Sequence, residues 1–148
     1  MDFDFSDDQE QLRDAVRKYV DKGYTFERRR ATEKAGGFDR AAYNELAELG
    51  LSGLYVPEDD GGMGMGPVEG MVVMEELGRG IVLEPLAQAL IAGAVISGYG
   101  DAATKSAWLP GIASGEKLVV LAYQERAARY KLDVCEAKAT QAPGGYVI

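Results

Sequence analysis

The hydrophobic pattern of this 148-residue chain changes period once, after Gly115, and that change constrains the fold more than any other feature. Before it, apolar residues recur at helical spacing. Leu12, Ala15, Val16, Tyr19 and Val20 fall at i, i+3, i+4, i+7 and i+8, behind Ser6-Asp7-Asp8-Gln9, which has the form of a capping box. The spacing predicts a first helix over about 7–21. A short polar helix from Thr25 to Lys34 ends at Gly36-Gly37. Asp39 caps a third, with Tyr43, Leu46, Ala47 and Leu49 as its buried face and Gly50 as its left-handed stop. Pro67 suits the first position of a fourth helix, with Val68, Met71, Val72 and Leu77 inward and an end near Gly78 to Gly80. Pro85 opens a fifth, with Leu86, Ala89, Leu90, Gly93 and Ala94 on one side and Ile91 and Val95 on the adjoining strip. Asp101 caps a sixth, which carries Trp108 and is broken by Pro110-Gly111.

After Ser114-Gly115-Glu116 the pattern is strand-like. Lys117 to Tyr123 is a β-rich apolar run, and Leu132 to Thr140 and Tyr146 to Ile148 read as two more strands joined by a turn at Ala142-Pro143-Gly144-Gly145. The predicted fold class is mainly α: a helical domain of about six helices over residues 1–116, then the first strands of a β-domain over residues 117–148. Two full strands and a third at the last residue make no stable sheet alone. The chain is therefore expected to be the front part of a larger protein, or to take partner strands from elsewhere.

The chain contains no histidine and a single cysteine, Cys135. Histidine general acid–base catalysis, Ser-His and Cys-His nucleophiles, intrachain disulfides and cysteine-rich zinc sites are excluded, and no metal site is expected. A net charge of −8 opposes binding to a phosphate backbone or an anionic lipid surface. Arg28-Arg29-Arg30, the one basic cluster, spreads over about 200° of a helix and reads as a solvated face. The acidic start, Met1-Asp2-Phe3-Asp4-Phe5, lacks the basic and then apolar character of an export signal, and a cytoplasmic location is expected. The uncharged stretch from Pro85 to Gly100 would reach about 24 Å as a helix, short of a bilayer core of about 30 Å.

Four features invite chemistry. The Gly-rich loop Gly61 to Gly66 precedes a helix, as a phosphate cradle does, but Pro67 and Glu69 stand where a dinucleotide fingerprint needs glycine, so a helix-to-helix connection is the better reading. Neighbouring carboxylates such as Glu75-Glu76 and Asp7-Asp8 point about 100° apart on a helix, which suits a solvated face better than convergence on a substrate. Cys135, in an expected strand, reads as a small hydrophobe. The segment from Leu121 to Tyr130 leaves an apolar run and at once presents Gln124, Glu125, Arg126, Arg129 and two phenols. That is the layout of a recognition loop on a rigid element, able to stack on a planar ring and hold phosphate, with chance surface polarity as the alternative.

Five motifs in order carry a family resemblance: Met1-Asp-Phe-Asp-Phe-Ser-Asp-Asp-Gln, Glu48-Leu-Gly-Leu-Ser-Gly-Leu, Val56-Pro-Glu-Asp-Asp-Gly-Gly-Met-Gly, Met74-Glu-Glu-Leu-Gly-Arg-Gly and Trp108-Leu-Pro-Gly-Ile-Ala-Ser-Gly-Glu-Lys. Together they resemble the amino-terminal helical domain of acyl-CoA dehydrogenases. Most of that family places Thr-Glu-Pro and then a Gly-x-Gly-Ser run where this chain has Gln124-Glu125-Arg126 and Ala127 to Tyr130, a pattern similar to the branch that includes the pimeloyl-CoA dehydrogenase small subunit.

The resemblance implies a flavoprotein whose FAD lies between a middle β-domain and a carboxy-terminal helical bundle. In it a glutamate takes the α-proton of an acyl-CoA while hydride passes from the β-carbon to the flavin. The catalytic base is expected beyond residue 148. By position, the resemblance assigns Leu121, Tyr123, Gln124, Arg129 and Tyr130 to the cofactor. Tyr130, with Leu86, Ala89 and Leu90 of the fifth helix, is assigned to the substrate. The small residues of that helix leave volume for an acyl chain, or equally permit close helix packing. Implied partners are the acyl-CoA, an electron acceptor such as an electron-transfer flavoprotein, and further subunits in a homo- or hetero-oligomer. An alternative is a non-catalytic or truncated subunit packed on a complete dehydrogenase subunit.

Overall fold

In a computed structural model the chain is described over residues 4–148, so Met1 to Phe3 of the opening motif lie outside the described residues. Ser6 caps α1 (Asp7–Gly23) as its sequence requires: the Gln9 amide donates to Ser6 Oγ at 3.2 Å, and the Ser6 amide donates to Gln9 Oε1 at 3.0 Å. Val16 and Val20 of α1 are buried against α4 (Pro67–Arg79), with Leu12 and Tyr19 half-buried beside them and Ala15 exposed. A short ion network spans the α1–α4 seam. Glu76, 3% exposed, accepts from Arg17 at 2.6 Å and Arg79 at 3.0 Å, and Arg79 also reaches Asp21 at 2.8 Å. Only Glu75 of that carboxylate pair faces solvent, so the solvated-face reading fails for Glu76, whose carboxyl the Arg17 and Arg79 guanidiniums hold below the usual carboxylate range.

Thr25 and Asp39 cap α2 (Phe26–Lys34) and α3 (Arg40–Glu48). The three successive arginines do not share one role. Arg28 turns inward and donates to Asp39 at 3.0 Å, Glu45 at 2.6 Å and the Gly23 carbonyl at 3.0 Å, binding the end of α1 to α3. Ala42, Tyr43 and Leu46 are the buried residues of α3, and Ala47 is half-buried. Leu49, expected inward, is 37% exposed, because it follows the last helical residue just before Gly50 (φ 80°) reverses the chain.

Pro67 occupies the first position of α4, which runs to Arg79. The strip facing the core is Gly70, Val73 and Leu77, with Val72 and Glu76 flanking it. Val68 and Met71, expected inward, are 46% and 54% exposed because they lie on the opposite row of the helix. On α5 (Leu86–Tyr99) Leu86, Ala89, Leu90, Ala92 and Gly93 are buried, while Ala94, Ile91 and Val95 are exposed. The last helix, α6 (Ala102–Ala113), runs through Pro110 instead of breaking there. Proline removes only its own N–H, and Ser106, whose carbonyl is thereby released, is exposed to water.

Among the described residues the regular strands are β1 (Thr140–Ala142) and β2 (Gly145–Val147), an antiparallel hairpin turned at Pro143-Gly144, with Thr140 opposite Val147. Lys117 to Tyr123 forms no strand and no helix. A strand exists only through its neighbour's hydrogen bonds, and this run has none beside it. It lies along the helices instead: the Lys117 amide donates to the Gly111 carbonyl at 2.8 Å, and Leu118 and Val119 pack on the core. Of Leu132 to Thr140 only the last residue is in a strand, and Cys135 is exposed outside any strand. The expected fold class holds: six helices among the described residues, then short strands.

Candidate functional site

The Gly-rich loop cannot cradle an anion, because its amides are already used. The amides of Gly62, Met63, Gly64 and Met65 donate to the carbonyls of Pro57, Gly53, Val56 and Leu54 at 2.8 to 3.0 Å, and Gly66 N–H donates to Glu69 at 3.0 Å. The loop is folded back on the connector that precedes it, as a helix-to-helix joint.

Past Leu121 the chain turns, with the Arg129 amide donating to the Glu125 carbonyl at 3.1 Å and the Lys131 amide to the Ala128 carbonyl at 2.9 Å. Ala128 is buried beneath this turn, and Arg129 holds φ at 51°, a left-handed conformation unusual for a residue with a Cβ. Gln124, Glu125, Arg126, Arg129 and Tyr130 line one open hollow of about 520 Å³. The Glu136 and Ala137 amides donate to the Glu125 carboxylate at 2.7 and 3.1 Å, which anchors the turn and holds that carboxyl below its usual range. Neither guanidinium of the hollow is ion-paired among the described residues, and Tyr130 is 99% exposed.

Of the residues assigned by sequence, Gln124, Arg129 and Tyr130 therefore meet around one hollow. Leu121 and Tyr123 are exposed on the approach to it and do not line it. Arg126, part of the expected recognition loop but not assigned to the cofactor, joins the lining. The anchoring of Glu125 joins residues eleven and twelve apart in sequence, which no local pattern announces.

Leu86, Ala89 and Leu90 are 1%, 0% and 3% exposed and belong to the core cluster that holds Tyr43, Leu46, Leu54 and Leu77. They share no surface with Tyr130. Ala89→Leu is expected to overfill this core and cost about 1–3 kcal/mol, read as a lower Tm. An unchanged Tm would instead show that Ala89 does not pack in this core.

Comparison with known proteins gives these features a context. The family model described as "Acyl-CoA dehydrogenase, N-terminal domain" matches residues 6–116. Benzylmalonyl-CoA dehydrogenase of Aromatoleum aromaticum is 30% identical over 151 aligned residues, covering 100% of this chain and 40% of that protein. Two solved structures share the fold across 99% of this chain and 39% of theirs. One is the electron transferring flavoprotein of Acidaminococcus fermentans (25% identity, TM-score 0.81), the other the Tcur3481-Tcur3483 steroid ACAD (28%, 0.75). The chain belongs to the acyl-CoA dehydrogenase family and carries the fold of its amino-terminal domain. It spans about two-fifths of the length of these relatives.

Proposed function

We propose that this chain is the amino-terminal part of an FAD-dependent acyl-CoA dehydrogenase that desaturates an acyl-CoA thioester between Cα and Cβ. The observation that carries this reading is the convergence of Gln124, Arg126, Arg129 and Tyr130 on one open hollow, directly after a helical unit of this family. Residues from about 117 would begin the middle β-domain, with the exposed hairpin β1–β2 as strands awaiting neighbours. The pattern from Gln124 to Tyr130 supports a place in the branch that includes the pimeloyl-CoA dehydrogenase small subunit.

The donor set fits part of FAD. Arg126 and Arg129 offer guanidinium groups to a diphosphate, Gln124 an amide to the polar edge of a flavin ring, and Tyr130 an aromatic face and a phenol on the substrate side. Bound FAD would supply the hydride acceptor. Leu121 and Tyr123, exposed on the approach, would be covered when it binds. Glu125, held ionised by two amides, is a poor proton acceptor, and no other carboxylate lines the hollow, so the base that removes the α-proton would come from outside these residues. No helix among the described residues is long and apolar enough to cross a membrane, and a cytoplasmic enzyme passing electrons to an acceptor such as an electron-transfer flavoprotein is consistent with that.

A second reading is a non-catalytic subunit packed on a complete partner. It is favoured by the apolar edge left open at Tyr146, Val147 and Ile148, which are 70%, 63% and 92% exposed. In the first reading the hollow contacts FAD. In the native assembly, Arg129→Ala should weaken FAD binding by about tenfold, the loss of one charge-assisted hydrogen bond, while Cys135→Ser leaves it unchanged. Equal FAD affinity in the two variants would remove the cofactor from this hollow.

A further inference from the structure

Seven arginines lie in the helical unit, and five are spoken for. Arg13, Arg17, Arg28 and Arg79 are paired with carboxylates, and Arg40 donates to the Gly115 and Glu116 carbonyls, both at 2.7 Å. Arg29 and Arg30 of α2 have no carboxylate within 4 Å among the described residues. Both guanidiniums lie over the ring of Phe26, at 5.0 and 5.9 Å from its centroid. Phe26 is itself 58% exposed.

Across from it the end of α4 presents Ile81, 56% exposed, at φ 51°. The Ile81 amide donates to the Gly78 carbonyl and the Val82 amide to the Leu77 carbonyl, both at 3.0 Å, which is the helix stop that ordinarily places glycine at this position. A β-branched side chain there is strained, and its exposure returns little packing. Two shallow, open hollows of about 320 and 310 Å³ share Phe26 and Arg29; the second is also lined by Arg30, Glu33, Ile81 and Leu83.

We infer that Phe26, Arg29, Arg30 and Ile81 form a docking patch for an acidic segment of a partner protein that carries an apolar side chain. Two uncompensated cations on a chain of net charge −8 call for carboxylates, and the exposed phenyl ring and isoleucine call for an apolar anchor between them. Aromatic and arginine side chains grouped around shallow hollows are the usual composition of protein contact centres. The inference does not depend on the flavin reading, since the patch shares no residue with the hollow around Tyr130.

The probe is a short fluorescent peptide of glutamates around one leucine, titrated into the full chain and followed by anisotropy. Saturable binding is expected, weakened by added salt and absent for the same peptide with lysines in place of glutamates. Arg29→Glu with Arg30→Glu, and separately Phe26→Ala, should each weaken it at least tenfold. Ile81→Gly should weaken binding while raising Tm, because glycine relieves the strain as it removes the anchor contact. Equal binding to the charge-reversed or Phe26→Ala chain would overturn the proposal, as would no binding by the unaltered chain. Displacement of the peptide by inorganic diphosphate at equal concentration would make the patch a phosphate site and overturn it too.

Discussion

Gly62→Ala should destabilise the chain by about 3–5 kcal/mol. A Cβ at Gly62 would fall on the Val56 carbonyl oxygen and side chain, backbone that cannot rotate aside. Relief requires the loop to lift from the connector, which breaks Met63 N–H to the Gly53 carbonyl and Gly64 N–H to the Val56 carbonyl, about 1 kcal/mol each. The overpacked Val56, 1% exposed in the core with Leu109 and Ile112, adds roughly 1–3 kcal/mol. For a chain of this size the sum lowers Tm by roughly 10 °C. Gly61→Ala is the control: its φ of 84° carries a strain of about 1–2 kcal/mol, but nothing lies within 4 Å of the added carbon. Equal Tm values for the two variants would show that the loop does not pack on the connector as described.

That loop also shows where sequence reading reaches and where it stops. Its role as a joint could be read from what the motif lacked, the glycines a phosphate cradle needs, but the carbonyls its amides find are set by tertiary folding. The signals that read correctly are local: the Ser6–Gln9 box, Asp39 and Asp101 as caps, Gly50 as a left-handed stop and Pro67 at a helix start. The errors share one cause. Val68, Met71 and Leu49 are apolar and at plausible spacing, yet which strip of a helix faces inward is decided by the neighbouring elements. Glu76 reads like Glu75 until Arg17 arrives from another helix. Lys117 to Tyr123 has the composition of a strand without a partner to make it one. At the site, the polar break after the apolar run located Gln124, Arg126, Arg129 and Tyr130, while the anchoring of Glu125 needed the folded turn.

The second large effect is all-or-none. This chain by itself should show no flavin-dependent oxidation of acyl-CoA above a heat-treated control, whereas the native assembly that contains it should be active. Glu125, the one carboxylate at the hollow, is tied to the Glu136 and Ala137 amides and held ionised at low proton affinity, and the chain has no histidine to replace it. A wall that binds and orients without a base leaves the α-proton in place, and hydride cannot depart from the β-carbon without that loss. A native assembly whose activity and FAD both stay with a longer, complete partner subunit when this chain is removed would favour the non-catalytic subunit.

The most direct measurement mixes acyl-CoA anaerobically with the purified native assembly and follows the visible absorbance of its flavin. An FAD-dependent dehydrogenase completed by residues outside this chain requires that the flavin bleaches and an α,β-unsaturated thioester forms in equal amount, with neither change in the isolated chain supplied with FAD. Bleaching by the isolated chain, or a native assembly that carries no flavin, would contradict that reading.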